Sequence, residues 1–530
     1  MGFAKVSSAQ PTLLGANEIT VEADLAKGLH AFTIVGLPDK GIEESRDRVS
    51  AAIKNSGWKS PKQRNQKITI ALAPADLKKS GPLFDLPIAL CYLLATGDIR
   101  FDPSEKMFVG ELSLDGKVRG IRGALAIAAE AKKRGIKELY VPKVNAEEAA
   151  LVSGITIFPV ASLHELACHL APTSAITHEE GEGKIGITLK RIPQAPHTTL
   201  SRNEKPKKLS AFTDIRGQET AKRGLMIAAA GGHNIALWGP PGTGKTMLAR
   251  AFTELLPPLL EQEALEVTAI HSVAGVLDGT IITVPPFRSP HHTASYVSII
   301  GGGTTPKPGE ATLAHHGVLF MDEFPEFDKR VIESLRQPLE EGFVHVSRAK
   351  GSERFPSRFI LVAAMNPCPC GYFGDIKKAC ICNPAAISRY QRKISGPIID
   401  RIDLWIEVPR LDHKTLAPGK RDDGSAAQYR EFITKIQSAR AHQAKRFEGN
   451  ATTRSNATMG VRELDRSIRL SDGVSTLLAE SAKRLDLSPR AYPRIITLSR
   501  TIADLDESRE ITESHLLEAL QYRPKRLFQS

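Results

Sequence analysis

The chain has 530 residues, 41% of them hydrophobic and 25% charged, with a formal net charge of +12. So long a chain is too large for a single hydrophobic core and implies about three domains, while the mild positive excess permits contact with a polyanion without requiring it. Six cysteines are too few for a disulfide scaffold, no apolar run approaches the ~20 residues of a membrane span, and the first residues lack a charged-then-apolar secretory pattern, so no membrane contact and a cytoplasmic location are expected.

Residues 1–170 alternate between strand and helix patterns, with the apolar strand Lys67–Ala73 and the helix Ala124–Lys133, closed by Gly135, as examples. From 171 to 210 the pattern dissolves into Pro, Thr, Ser, Gly and charge, the composition of a linker. A second α/β unit is expected over 211–408. The remainder, 409–530, has helical periodicity and no convincing strand.

The second unit opens with the apolar strand Ile235–Trp238 running into Gly239, Pro240, Pro241, Gly242, Thr243, Gly244, Lys245 and Thr246. Strand, glycine-rich turn and helix in that order form a loop whose backbone N–H groups can close around phosphate oxygens. ATP is the implied ligand, with Lys245 reaching its β- and γ-phosphates and Thr246 ligating Mg2+. Between Thr246 and Asp322 lie 75 residues, more than two helices and a strand need, so something is inserted there.

The next apolar strand ends in Asp322 and Glu323. Asp322 suits the Mg2+ shell and Glu323 suits a general base that polarises the attacking water. Phe343–Ala349 and Arg354–Phe359 flank a short polar stretch and read as a hairpin bearing Arg348, Lys350 and Arg354. That cluster is either a grip on a phosphate backbone or a charged, aggregation-proof edge. A third strand ends at Asn366, whose amide could orient the water. Cys368, Cys370, Cys380 and Cys382 follow within fifteen residues. Two close pairs of thiolates match a structural, tetrahedral Zn2+ site, although each pair is one residue tighter than the common spacing; four reduced thiols in a loop are the alternative. Adjacent histidines on a strand would face opposite ways, so His291-His292 and His315-His316 are not read as metal ligands.

Arg401, in Asp400-Arg401-Ile402-Asp403, precedes another apolar strand. This order of phosphate loop, acid pair, Asn strand and Asp-Arg-Ile-Asp resembles the AAA+ ATPases. With Phe287–Thr293, Gly301–Gly303 and Pro308–Glu310 it is most similar to the magnesium-chelatase-like family, which includes competence-associated ComM-type helicases. The resemblance covers nearly the whole chain.

It implies an α/β fold made of a Lon-protease-like α+β N-terminal domain, an AAA+ P-loop core with a helix-2 insert, and a C-terminal helical lid. It further implies that Arg401 reaches a neighbouring subunit's ATP in a homo-oligomeric ring, of six subunits by expectation; an ion pair with Asp400 or Asp403 is the alternative. Arg490 takes the second nucleotide-sensing position, with Arg494 as runner-up, and Asp214–Gln218 resembles the segment lying beside the adenine.

Val109–Gly120 and Ala131–Pro142 are similar to the Lon protease domain. Leu83 and Leu125 stand where its serine and lysine would be, so proteolysis is not expected. DNA, single-stranded or branched, is the expected partner of an ATP-driven helicase or branch-migration motor. The rival is a metal-chelatase-type motor subunit acting on a partner protein.

Overall fold

The computed structural model describes residues 2–13, 15–171, 211–278, 281–303, 307–348, 351–375, 377–411, 423–450 and 453–524. The stretch 172–210, expected as a linker, lies outside the described residues. The chain divides into two compact units, Met1–Arg202 with Glu261–Ile282, and Asn203–Leu260 with Thr283–Ser530.

In the first unit a seven-stranded sheet runs in the order Ala31–Val35, Gln66–Ala73, Gly15–Lys27, Gly2–Thr12, Lys106–Phe108, Glu138–Pro142, Thr156–Val160. Gly2–Thr12 and Gly15–Lys27 form an antiparallel hairpin with Val6 opposite Val21. Alternate residues of that hairpin are buried, as a sheet with one covered face requires. The helix Asp85–Thr96 packs on it and buries all but two of its residues. Asp85 is fully buried and accepts from Arg48 Nε at 2.9 Å, Arg48 Nη2 at 3.1 Å and the Leu112 N–H at 3.2 Å. Burial pushes its carboxyl above the usual range although Arg48 opposes the shift.

Leu83 and Leu125 are 9% and 3% exposed and belong to the apolar interior, so neither position offers a nucleophile or a base. In this unit Lys62 and Arg64 are paired with Asp47 and Asp98, both at 2.7 Å.

The stretch 211–408, expected as an α/β core with an insert, contributes to both units. Its segment Glu261–Ile282 is part of the first. The helix Glu261–Ala274 packs there against Ala124–Lys133, and the Gly123 N–H donates to Ser272 Oγ at 2.8 Å. Its buried side chains Ala264, Val267 and Ile270 supply the apolar stripe for that contact.

The second unit is a five-stranded sheet in the order Phe287–Arg288, Val318–Met321, Ile360–Met365, Ile235–Trp238, Leu404–Glu407, with every pairing parallel. Continuous apolar runs such as Val318–Met321, buried at every position, form such strands because helices cover both faces. The strand leading into the phosphate loop lies between the Asn366 strand and the Arg401 strand. Chain order reverses beside it, so the carboxyl ends of the central strands open a crevice. Described residues after Glu407 form helices and connections only, among them Asp423–Arg446, Asp472–Arg484, Ala491–Leu505 and Glu513–Gln521. The buried Asp504 ties several of them, accepting from Arg446 at 2.6 Å, from Arg500 at 3.0 Å and from Asn456 Nδ2 at 2.9 Å.

The expected hairpin is present, Phe343–Arg348 pairing with Gly351–Pro356 so that Arg348 faces Gly351. Arg354 is exposed, its guanidinium 3.5 Å above the Phe343 ring. Lys350 and the side chain of Arg348 lie outside the described residues. No helix among the described residues is long and apolar enough to cross a membrane.

Candidate nucleotide site

At the end of Ile235–Trp238 the loop turns sharply. Gly239 sits so close to the next strand that a Cβ would run into the Val408 carbonyl oxygen, and Gly244, at φ +89°, leads into the helix Lys245–Leu255. The N-terminus of that helix offers unpaired N–H groups and a positive dipole end to an anion. Lys245 is only 9% exposed. Its ammonium donates to the carbonyl oxygens of Gly239 and Pro240, both at 2.8 Å, and to Asn366 Oδ1 at 3.2 Å. Desolvation pulls its pKa down to about 8, against the attraction of Asp322. A buried cation with only neutral acceptors on it gains strongly when phosphate oxygens arrive.

Thr246 Oγ1 donates to Asp322 Oδ2 at 2.9 Å, which places two oxygen donors suited to Mg2+ side by side. Asp322 Oδ1 accepts the Glu323 N–H at 2.9 Å. Glu323 takes a left-handed backbone, φ +51°, and its carboxylate is 55% exposed. Direct hydrogen bonds therefore join Lys245 to Asn366, and both Thr246 and the Glu323 backbone to Asp322, which the sequence could order only along the chain.

A residue for which the sequence declined only a metal role also meets this group. His292 Nδ1 lies 3.1 Å from Glu323 Oε2. Its one signal was the pair His291-His292, set aside on a strand argument that the fold overturns. Both His pairs lie in turns, with ring centroids 4.2 Å apart in the first and 4.0 Å in the second, not on opposite faces of a strand. A turn lets neighbouring side chains converge.

Arg401 is 4% exposed and forms an ion pair with Glu340, not with Asp400 or Asp403; its Nη1 also donates to the Pro397 carbonyl at 2.7 Å. Asp403 is engaged elsewhere, accepting the Asn234 N–H at 3.0 Å and Arg494 Nη1 at 2.8 Å, with His233 Nδ1 at 3.4 Å. Burial works against its ionisation, yet Arg494 and His233 hold the carboxyl far below the usual range. Arg494 also donates to the Arg401 carbonyl at 3.2 Å, so the runner-up sensing arginine anchors the Arg401 loop. Arg490 is exposed at the start of Ala491–Leu505 and contributes to the field that holds the Glu340 carboxyl down, a field in which Arg401 dominates.

Gln218 donates to the Pro409 carbonyl at 2.8 Å at the rim of a cavity of about 660 Å3 lined by Trp238, Trp405 and Tyr522 among others. It lies at the end of the segment expected near the adenine.

The four thiols of Cys368, Cys370, Cys380 and Cys382 lie within 4.8 Å of one another. Three of the separations are 3.4, 3.5 and 3.7 Å. A tetrahedral zinc with Zn–S of about 2.3 Å needs edges of about 3.8 Å, so the residues fit the ion. Desolvation raises the Cys370 pKa, but the N–H groups of Tyr372 and Ile381 outweigh it and bring the thiol to about 6.

Residues 211–416 match the family described as magnesium chelatase, subunit ChlI; residues 21–145 match subunit ChlI of Mg-chelatase, and 427–523 its C-terminal part. The chain is 41% identical to competence protein ComM of Haemophilus influenzae, covering 99% of this chain and 98% of that protein. It is equally 41% identical to the uncharacterized protein YifB of Escherichia coli, covering 96% and 95%. A magnesium-chelatase 67 kDa subunit of Chlorobaculum parvum is 33% identical over 30% of this chain and 23% of its own length. Matches along the whole length, together with a phosphate loop beside an acid pair on a parallel sheet, place the chain in the magnesium-chelatase-like AAA+ family of ComM and YifB proteins.

Proposed function

We propose that the protein hydrolyses ATP in a homo-oligomeric ring, of six subunits in our reading, and uses the cycle to move DNA as a helicase or branch-migration motor. The observation that carries the ATPase part is the bonded set of Lys245 with Asn366 and Thr246 with Asp322 at the carboxyl ends of a parallel sheet. Lys245 holds the terminal phosphates, Asn366 and Glu323 orient the attacking water, and Glu323 accepts its proton. Mg2+, held by Thr246 and Asp322, neutralises phosphate charge when bound.

Arg401 is placed in the adjacent subunit's site by this reading, which requires it to leave Glu340. Arg401 is buried but Glu340 is 54% exposed, so water screens the carboxylate end of the pair and a triphosphate, carrying more charge, can outcompete it. Arg490 senses the nucleotide from the helical lid, residues 409–530. The N-terminal domain is a Lon-like fold without its chemistry, since Leu83 and Leu125 are buried apolar residues.

The hairpin with Arg348, Lys350 and Arg354 is the proposed grip on the DNA backbone, a reading supported by its paired strands and the exposed Arg354. Zn2+ on the four cysteines and a cytoplasmic location complete the reading. The rival, a chelatase-type subunit acting on a partner protein, has support in the chelatase family models matched over residues 21–145, 211–416 and 427–523 and in the likeness to a magnesium-chelatase 67 kDa subunit, which covers 30% of the chain.

Strand displacement on forked DNA tests the proposal. ATP-dependent unwinding is expected from the wild type and not from Glu323→Gln. A protein that stays monomeric with ATP and Mg2+, and whose ATPase ignores every DNA offered, would refute the motor reading.

A further inference from the structure

The loop from Cys368 to Cys382 touches the nucleotide elements themselves. It begins two residues after Asn366, the acceptor of the Lys245 ammonium. Within it Gly371, at φ +84°, lies so near the phosphate loop that a Cβ would stand 2.7 Å from Pro241 Cδ and 3.7 Å from Asn366 Cγ. The Gly371 N–H donates to the Cys368 carbonyl at 3.0 Å, and the Phe373 N–H points at Cys368 Sγ at 3.3 Å. On its far side Asp375 pairs with Arg410 at 3.4 Å, and Arg410 follows the strand end that packs on Gly239. The loop is thus wedged between Pro241, Asn366 and the segment after Val408.

What holds the wedge is not a core. From Asn366 to Asn383 the described residues that are buried are Pro367, Cys368 and Gly371. Three buried residues cannot offset the entropy of ordering so long a loop. A zinc ion on four thiolates can, because its binding energy becomes ordering energy.

We infer that metal on the four cysteines positions the phosphate loop, so that occupancy of this site sets the affinity for nucleotide. The inference rests on the zinc assignment proposed above. Without metal the Cys368–Cys382 turn loses its closure, Gly371 leaves Pro241, and Asn366 no longer has a fixed place beside Lys245. The metal then acts on nucleotide binding from a distance, through backbone contact and without touching phosphate.

The test measures zinc content by mass spectrometry and the Kd of a fluorescent ADP analogue on the full chain. Measurements are made as purified, after stripping with a chelator that spares Mg2+, and after zinc is returned. One zinc per chain is expected, with a Kd raised at least tenfold on stripping and restored by zinc. Gly371→Ala should keep its zinc yet raise Kd about tenfold. Gly371→Asn, which tolerates a left-handed backbone but still carries a Cβ, should do the same if the alanine variant does not fold. A stripped protein with unchanged Kd overturns the coupling while leaving the zinc site intact. Purified protein that neither contains nor takes up zinc overturns the zinc assignment and this inference with it.

Discussion

Asp403 offers a sharp test of how the Arg401 loop is held. Its carboxylate is fully buried and is the shared acceptor for the Asn234 N–H and Arg494, with His233 beside it. Replacing it by alanine removes the carboxylate partner of the part-buried Arg494, which keeps only the Arg401 carbonyl, and leaves the buried Asn234 N–H without its acceptor, a loss of about 3–5 kcal/mol. Asp403→Asn keeps one oxygen for Asn234 and should cost about 1–3 kcal/mol.

The protein has three tryptophans. Trp58 belongs to the first unit, and Trp238 and Trp405 to the sheet of the second. In a Trp58→Phe background, urea unfolding followed by tryptophan fluorescence therefore reports the second unit. With a slope of about 2–3 kcal/mol per molar urea, Asp403→Ala should lower the midpoint by about 1–2 M.

The pH arm has a defined sign. Asp403 has a depressed folded pKa, so its contribution is fully present above the unfolded value of about 3.9 and is lost only as pH falls through the lower folded value. The gap between wild type and Asp403→Asn should stay constant from pH 8 to pH 5 and shrink only below about pH 4. A midpoint shift in Asp403→Ala under about 0.4 M, or a gap that closes between pH 7 and pH 5, would refute the anchoring argument. Hydrolysis should fall further than nucleotide binding in both variants, because the anchored loop carries Arg401.

Lys245→Ala should abolish nucleotide binding, whereas Glu323→Gln should bind nucleotide and turn over at least a hundredfold more slowly, since only the second spares the phosphate cradle; equilibrium binding beside steady-state ATPase separates them. His292→Ala should lower kcat about two- to fivefold with nucleotide Kd unchanged, because a half-exposed contact to Glu323 is worth at most ~1 kcal/mol; a changed Kd would contradict that placement. In the first unit, Asp85→Ala should cost about 3–5 kcal/mol by thermal or urea unfolding, while the paired change Arg48→Met with Asp85→Leu should be near neutral. Similar losses in both would show that packing, not charge, dominates there.

The parts of the site that follow local rules were legible along the chain. A glycine-rich turn needs its glycines in order, and buried parallel strands must be apolar at every position, so Lys245, Thr246, Asp322 and Asn366 could be named from their strand ends. Four cysteines within fifteen residues likewise point to a metal, because thiolates so near in sequence can close a tetrahedron around one ion. The hairpin Phe343–Pro356 was readable from its flanking apolar residues.

Other features depended on which distant segments share a core. That Glu261–Ile282 joins the first unit follows from an apolar helix face finding Ala124–Lys133, and neither stretch names the other. That Arg401 is held by Glu340 and Arg494 by Asp403 was settled by geometry, since Asp400 and Asp403 lie far nearer to Arg401 in sequence than Glu340 does. His292 reached Glu323 because a turn, not a strand, carries it. Sequence alone determined the chemistry available, since residue type sets charge, nucleophilicity and backbone freedom. Only the tertiary structure decided the pairings, because a buried charge takes the partner that packing brings within reach.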